Sequence, residues 1–230
     1  MWSNRIMPYA IFAAGLALIG GYYVMTQPED APPVELAQFD AASCGFDAAF
    51  DAVPAETGPA AGAPGPWLAL CVAGEAAGTV VIDLNEAAPG HAERIVTLAG
   101  QGAYDGVAFH RVIEGFMAQT GDVEFGGPDG DVSRMGMGGS DLPDLRAEFS
   151  DVPFTRGTVG MARAASPDSA NSQFFIMFDR ASHLDGQYTV VGEVVSGMEV
   201  VDAIRRGAGG NGVVGAGADR IAAAAVRPAP

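Results

Sequence analysis

From Trp67 onward, apolar positions fall into short runs broken by turn-forming residues. The runs predict strands near 67–73, 78–84, 107–113, 116–120, 157–162, 173–178, 188–195 and 219–226. Two stretches carry a helical period instead. "APGHAERIVTLAGQG" has Pro89 near its start, glycines at its end, and Ile95, Val96 and Leu98 on one side; "GMEVVDAIRRG" is bounded by Gly197 and Gly207. Many strands and few helices in one domain point to a barrel or a sandwich, and closure of the sheet would remove its exposed edges.

The amino-terminal pattern is of another kind. Ile6 to Met25 is twenty residues without a charge, and as a helix it would be roughly 30 Å long, the thickness of a bilayer core. Arg5 precedes it and Glu29 and Asp30 follow it, which predicts a single span with the bulk of the chain outside the cytoplasm. The alternative is a cleaved signal peptide, but no small-x-small site directly follows the run. The expected organisation is therefore an anchor or signal segment over 1–27, an Ala/Pro/Gly-rich acidic linker over 28–66, and a folded domain over 67–230. In the linker, Phe39, Phe46, Phe50 and Val53 fall near helical spacing and can dock on the domain. Cys44 lies in the same stretch and Cys71 in the first strand. In a chain delivered outside the cytoplasm the two can form a disulfide; otherwise they are two unpaired thiols, Cys71 simply being a small buried residue.

Composition narrows the function. With 49% hydrophobic residues the chain can bury a substantial core, and with 28 acidic against 12 basic residues its net charge is −16. Such a surface repels phosphate backbones, so nucleic acid is not an expected partner. The three histidines, His91, His110 and His183, form no cluster with cysteine and carboxylate at metal-ligand spacing, and no metal or cofactor is expected. "GAGGNG" (207–212) satisfies G-x-G-x-x-G but follows a helix, not a strand, so it reads as a loop. No G-x-S-x-G elbow is present.

Polar groups embedded in apolar runs remain. "VAFHRVIEGFMAQTGD" sets Arg111 and Gln119 among Phe116, Met117 and other apolar side chains; "GTVGMARA" brings Arg163 beside Ala162; "ANSQFFIMF" sets Gln173 before Phe174 and Phe175; "HLDGQYTVVGEV" carries His183, Leu184 and Tyr188 around a turn. Together with "GSDLPDLRAEFSD", these segments resemble, in order from about Trp67 to Val226, the successive motifs of bacterial cyclophilin-type peptidyl-prolyl cis/trans isomerases.

That resemblance implies a mainly β fold, a closed eight-stranded antiparallel barrel capped by two α-helices, with a substrate groove on its outer face. It implies a catalytic role for Arg111, a proline pocket of Phe116, Met117, Phe175 and Leu184, and polar groove contacts from Gln119 and Gln173. Ala162 and Arg163 match the strand that pairs with substrate backbone. Arg163 stands where eukaryotic members commonly carry asparagine, His183 where many carry tryptophan, and Tyr188 where they carry histidine. Tight cyclosporin binding is therefore not implied. Phe109, Phe174 and Ile176 alternate with the pocket positions and are expected inside the barrel. His110 is expected to point away from Arg111 and make a structural hydrogen bond. The expected substrates are proline-containing segments of exported proteins, met in the periplasm by a domain tethered to the inner membrane through residues 6–25, or released there after signal cleavage. A reading from another class is a non-catalytic proline-peptide-binding module or chaperone of the cell envelope.

Overall fold

The computed structural model describes residues 44–54, 65–84 and 87–228. The expected membrane span and Phe39 lie outside these residues. Among the described residues no helix is long and apolar enough to cross a membrane.

The elements in chain order are α1 (Phe46–Asp51), β1 (Trp67–Ala73), β2 (Gly78–Leu84), α2 (Pro89–Gly100), β3 (Arg111–Ile113), β4 (Met117–Thr120), β5 (Thr158–Arg163), β6 (Ala170–Met177), β7 (Val190–Ser196), α3 (Met198–Ala203) and β8 (Arg220–Arg227). Short 3-10 turns at Val132–Arg134 and Ser182–Leu184 interrupt the loops. The strands form one eight-stranded antiparallel sheet in the order β3-β4-β6-β5-β7-β2-β1-β8. It curls so that Leu68, Leu70, Val80, Ile82, Ala118, Val159, Met161, Phe174, Ile176 and Ile221 meet inside. Ile95 and Leu98 of α2 and Val200 and Val201 of α3 join the same core, so these helices cover the sheet's open ends.

A closed barrel was the expectation, and the sheet departs from it. Strands β3 and β8, the ends of the sheet order, share no ladder. They approach through the residues ahead of β3: Ala108 bridges Arg220, and the Phe109 and Ile221 amides donate to the Asp219 and Val107 carbonyls, each at 2.8 Å. The reason lies in the 207–214 loop. It takes the free side of β3, with the Val112 amide donating to Gly212 and the Val214 amide to the His110 carbonyl. The strand expected over 107–113 shortens to 111–113, and β6 starts at Ala170, ahead of the expected 173, because Ala170 pairs with Arg163 of β5.

Residues 44–54 pack on the outer face of β1, β2 and β8. Phe50 and Val53 bury against Trp67, Ala69 and Val81; Phe50 stacks on Trp67, and the Arg227 guanidinium lies 4.8 Å from the Phe50 ring. Cys44 and Cys71 are joined in a disulfide, with 5.6 Å between their Cα atoms, packed against Ala223.

Helix α2 begins without a side-chain cap of its own, leaving amides that need an acceptor. Glu148, from the 141–150 loop, supplies it. Its carboxylate accepts from the Gly90 and His91 amides at 3.2 and 3.1 Å and lies 2.6 Å from His91 Nδ1. Burial alone would push the Glu148 carboxyl up, but these hydrogen bonds outweigh it and leave its pKa below the ordinary 4.5. A depressed pKa contributes stability above the unfolded value that is lost as pH falls through the folded one. Protection of the Gly90 and His91 amides against hydrogen exchange is thus expected to drop selectively once the pH passes below 4.5, relative to amides at the centre of β6. Protection that holds until the whole domain unfolds in acid would show that Glu148 does not cap the helix.

Candidate active site

Strand register places the candidate side chains in one row. Arg111 of β3 stands opposite Gln119 of β4, Gln119 opposite Phe175 of β6, and Phe175 opposite Gly160 of β5. Because side chains alternate across a pleated sheet, Phe174 and Ile176 enter the interior while Phe175 and Met177 face outward; Phe109 is also fully buried inside. Met117, Phe175 and Leu184 join Phe154, Met177, Ala181 and Val190 in a second apolar cluster outside the sheet, with Phe116, Ala162 and Tyr188 packed against it. Gly160 permits this arrangement, since a Cβ there would lie 2.5 Å from the Phe175 ring and 2.6 Å from the Phe154 ring.

On this second cluster lies an open cavity of about 500 Å³. It brings together Arg111, Phe116, Met117, Gln119, Ala162, Arg163, Phe175, His183, Leu184 and Tyr188, with Gln187 added. Gln173 does not line it. It lines a second cavity of about 490 Å³ that shares Gln119, Ala162 and Arg163 with the first and extends over Gly136–Ser140, Asp144 and Asn171. The β3–β4 turn, in which the Phe116 amide donates to the Ile113 carbonyl and Gly115 takes φ 67°, sets Phe116 at the rim, where its ring stacks on His183 at 5.7 Å.

Arg111 is held on two sides. Its Nε donates to the Asn211 carbonyl at 3.0 Å and its Nη1 to Gln119 Oε1 at 3.3 Å, with Met117 Sδ 3.9 Å from Nη1. Nη2 has no hydrogen bond to another described residue. Burial pushes the guanidinium below its ordinary pKa, and Tyr188 opposes the shift; an arginine nonetheless stays charged at neutral pH. Gln119 Nε2 donates to Gln173 Oε1 at 2.9 Å, and Gln173 Nε2 donates to the Gly138 carbonyl at 2.8 Å.

Arg163 closes the other side. Its guanidinium donates to the carbonyls of Ala164, Ala165 and Gln187 and lies 4.5 Å from the Tyr188 ring, which meets Phe175 edge-on. This arginine therefore ties the end of β5 to the 182–188 turn across the cavity, a span a shorter asparagine would not reach. The His110 ring is buried, with the Ala108 backbone and the Gln173 side chain as its hydrogen-bonding neighbours though neither contact is well aligned, and Gly136 crowds its edge. Burial lowers its pKa, with Asp122 opposing.

Several contributors escape a reading of side chains. Asn211 acts through its carbonyl, from the loop whose glycines resembled a nucleotide motif, and no pattern in side-chain polarity marks it. Gln187 gave a weak signal, a polar residue one position before Tyr188. One wall of the second cavity is the glycine-rich backbone of 136–139, where there are few side chains to read.

Among known proteins, residues 70–226 match the family model for cyclophilin type peptidyl-prolyl cis-trans isomerases. A protein named "Probable peptidyl-prolyl cis-trans isomerase" from Brucella suis biovar 1 is 62% identical over 133 residues, which cover 56% of this chain and 68% of that one. A peptidyl-prolyl cis-trans isomerase from Acinetobacter baylyi is 38% identical over 133 residues, 55% of this chain and 66% of that one. Of solved structures, a cyclophilin type isomerase from Cryptosporidium parvum, crystallised in the presence of the dipeptide Ala-Pro, superposes with a TM-score of 0.59 at 22% identity, covering 70% of this chain and 98% of that one. A cyclophilin from Hirschia baltica gives a TM-score of 0.55 at 24% identity, with 70% and 76% covered. These two likenesses show the fold.

Proposed function

The chain belongs to the cyclophilin type peptidyl-prolyl cis-trans isomerases and has their activity; from that premise we propose that Arg111 is its catalytic cation and that its substrates are proline-containing segments of exported proteins. The observation that carries the reading is the row Arg111–Gln119–Phe175–Gly160, which sets a partly buried guanidinium at the edge of an apolar hollow.

An X-Pro bond turns slowly because amide resonance gives its C–N bond double-bond character, with a barrier of about 18–20 kcal/mol. Halfway through the turn the prolyl nitrogen becomes pyramidal and regains a lone pair. A donor within reach of that nitrogen then gains a hydrogen bond that hardly exists in the planar ground state, so it stabilises the transition state selectively. Arg111 suits this task because its fork of donors is rigid and permanently charged. In the proposed complex Phe116, Met117, Phe175 and Leu184 hold the proline ring, and Ala162 and Arg163 lie along the peptide backbone. His183 and Tyr188 form the rim, while Gln119, backed by Gln173, fixes the direction of Arg111. No proton changes hands and no cofactor takes part.

The location of the substrates follows from the amino-terminal pattern. We place residues 1–27 as a single-pass anchor in the inner membrane, 28–66 as a linker and 67–230 as the isomerase domain in the periplasm, where a disulfide such as Cys44–Cys71 is stable. Slow X-Pro rotation limits the folding of newly exported chains there, and aggregation competes with it. Fractionation followed by amino-terminal sequencing tests the placement: a membrane-bound protein keeping residues 6–25 is expected, and a mature protein starting after residue 21 would refute the anchor.

A further inference from the structure

The hydrogen-bond chain behind Arg111 does not stop at Gln173. Gln173 donates to the Gly138 carbonyl, and Gly138 is held in turn by Asp122, a fully buried carboxylate. Asp122 Oδ1 accepts from the Glu124 and Phe125 amides at 3.1 and 2.9 Å, and its Oδ2 accepts from the Gly136 and Gly138 amides at 2.7 and 3.1 Å. One side chain thus staples the start of the 122–138 loop to its end. Contact is close enough that a Cβ on Gly138 would lie 2.5 Å from Asp122 Oδ1.

We infer that Asp122 is a positioning residue for catalysis: by folding the 122–138 loop on itself it fixes the Gly138 carbonyl, and that carbonyl orients the Gln173 and Gln119 amides that aim Arg111. The chain has a direction. A backbone carbonyl can only accept, so Gln173 must turn Nε2 toward Gly138 and Oε1 toward Gln119. Gln119 must then offer Nε2 to Gln173, which leaves Oε1 for Arg111, a group that can only donate. Moving the Gly138 carbonyl away frees the Gln173 amide to turn over, and two Nε2 groups then face each other where a donor met an acceptor. The inference rests on the reading of Arg111 as the catalytic cation. It goes beyond that reading by assigning aim to a carboxylate that touches neither the substrate hollow nor the guanidinium.

Asp122→Asn tests it, because the amide keeps the volume but turns a donor toward two of the four backbone amides. Exchange NMR on an X-Pro peptide at varied concentration, at a temperature where circular dichroism shows each variant folded, separates kcat from KM. The expected result is a roughly tenfold fall in kcat with KM within about threefold, from misdirection of one donor. In a Gln173→Ala background, where the chain is already cut, the same substitution is expected to lower kcat less than about threefold. An unchanged kcat, or the same fall in both backgrounds, would overturn the inference. Should Asp122→Asn not fold, Gln173→Glu carries the test. At neutral pH the introduced carboxylate cannot donate to Gly138, so kcat is expected to fall; relative to the parent at the same pH, it is expected to recover as the carboxyl takes up a proton. A variant as active as the parent at neutral pH would sink the inference. Parent activity and its loss in Arg111→Ala test the underlying reading separately.

Discussion

Arg111→Ala is expected to lower kcat/KM for an X-Pro peptide roughly 10²- to 10³-fold, the usual cost of removing one preorganised transition-state donor. Affinity for the peptide should change little, because the apolar walls that hold the ring in the ground state remain: Met117, Phe175 and Leu184 are buried in their own cluster, and of these only Met117, through its sulfur, touches the guanidinium. Stability should change little as well, since the Asn211 carbonyl that loses its donor lies on an exposed loop. Exchange NMR measures turnover, and titration of the same peptide measures Kd. A variant that binds and turns over peptide like the parent would remove Arg111 from the mechanism. Arg111→Lys is expected to fall between the two, since an ammonium keeps the charge but gathers its three donors on one nitrogen and lacks the planar fork whose separate Nε and Nη1 reach Asn211 and Gln119.

The second large effect is on stability. The disulfide closes a segment of 27 residues, and the chain-entropy relation gives about 3.5 kcal/mol for a loop of that length. In a domain of this size that is worth roughly 7 to 14 °C in melting temperature. The double substitution Cys44→Ala with Cys71→Ala, or reduction of the parent, is therefore expected to lower Tm by that amount. Catalysis at low temperature should be untouched, because β1 is separated from β4, β6 and β5 in the sheet order. Melting curves that coincide with and without reductant would show that residues 44–54 hold to β1 without the bond, through Phe50, Val53 and Arg227 alone.

Legibility differed between elements for physical reasons. β1 and β2 read correctly to the residue because apolar side chains fill them and glycine or turn residues bound them. The two faces of β6 were legible because two phenylalanines in succession must face opposite sides of a strand, so one of them has to line something outside the core. Strand β3 did not read correctly. The run from Val107 is apolar and extended, yet its hydrogen bonds go to the 207–221 segment, a partner chosen by tertiary structure. The loop from Gly121 to Gly157 was opaque for a related reason. Its order comes from backbone amides gathered by Asp122 and from the carboxylate of Glu148, and neither device leaves a period in the sequence. Likewise Arg163 was visible as a departure from a common asparagine, but its grip on Ala164, Ala165 and Gln187 was not.

Around the curled sheet, β1 falls diametrically across from β6. Cys44 is bolted to the first of these strands and Phe175 opens from the second. A pull applied at Cys44 would thus be delivered to the strand across the sheet from the one that opens the hollow.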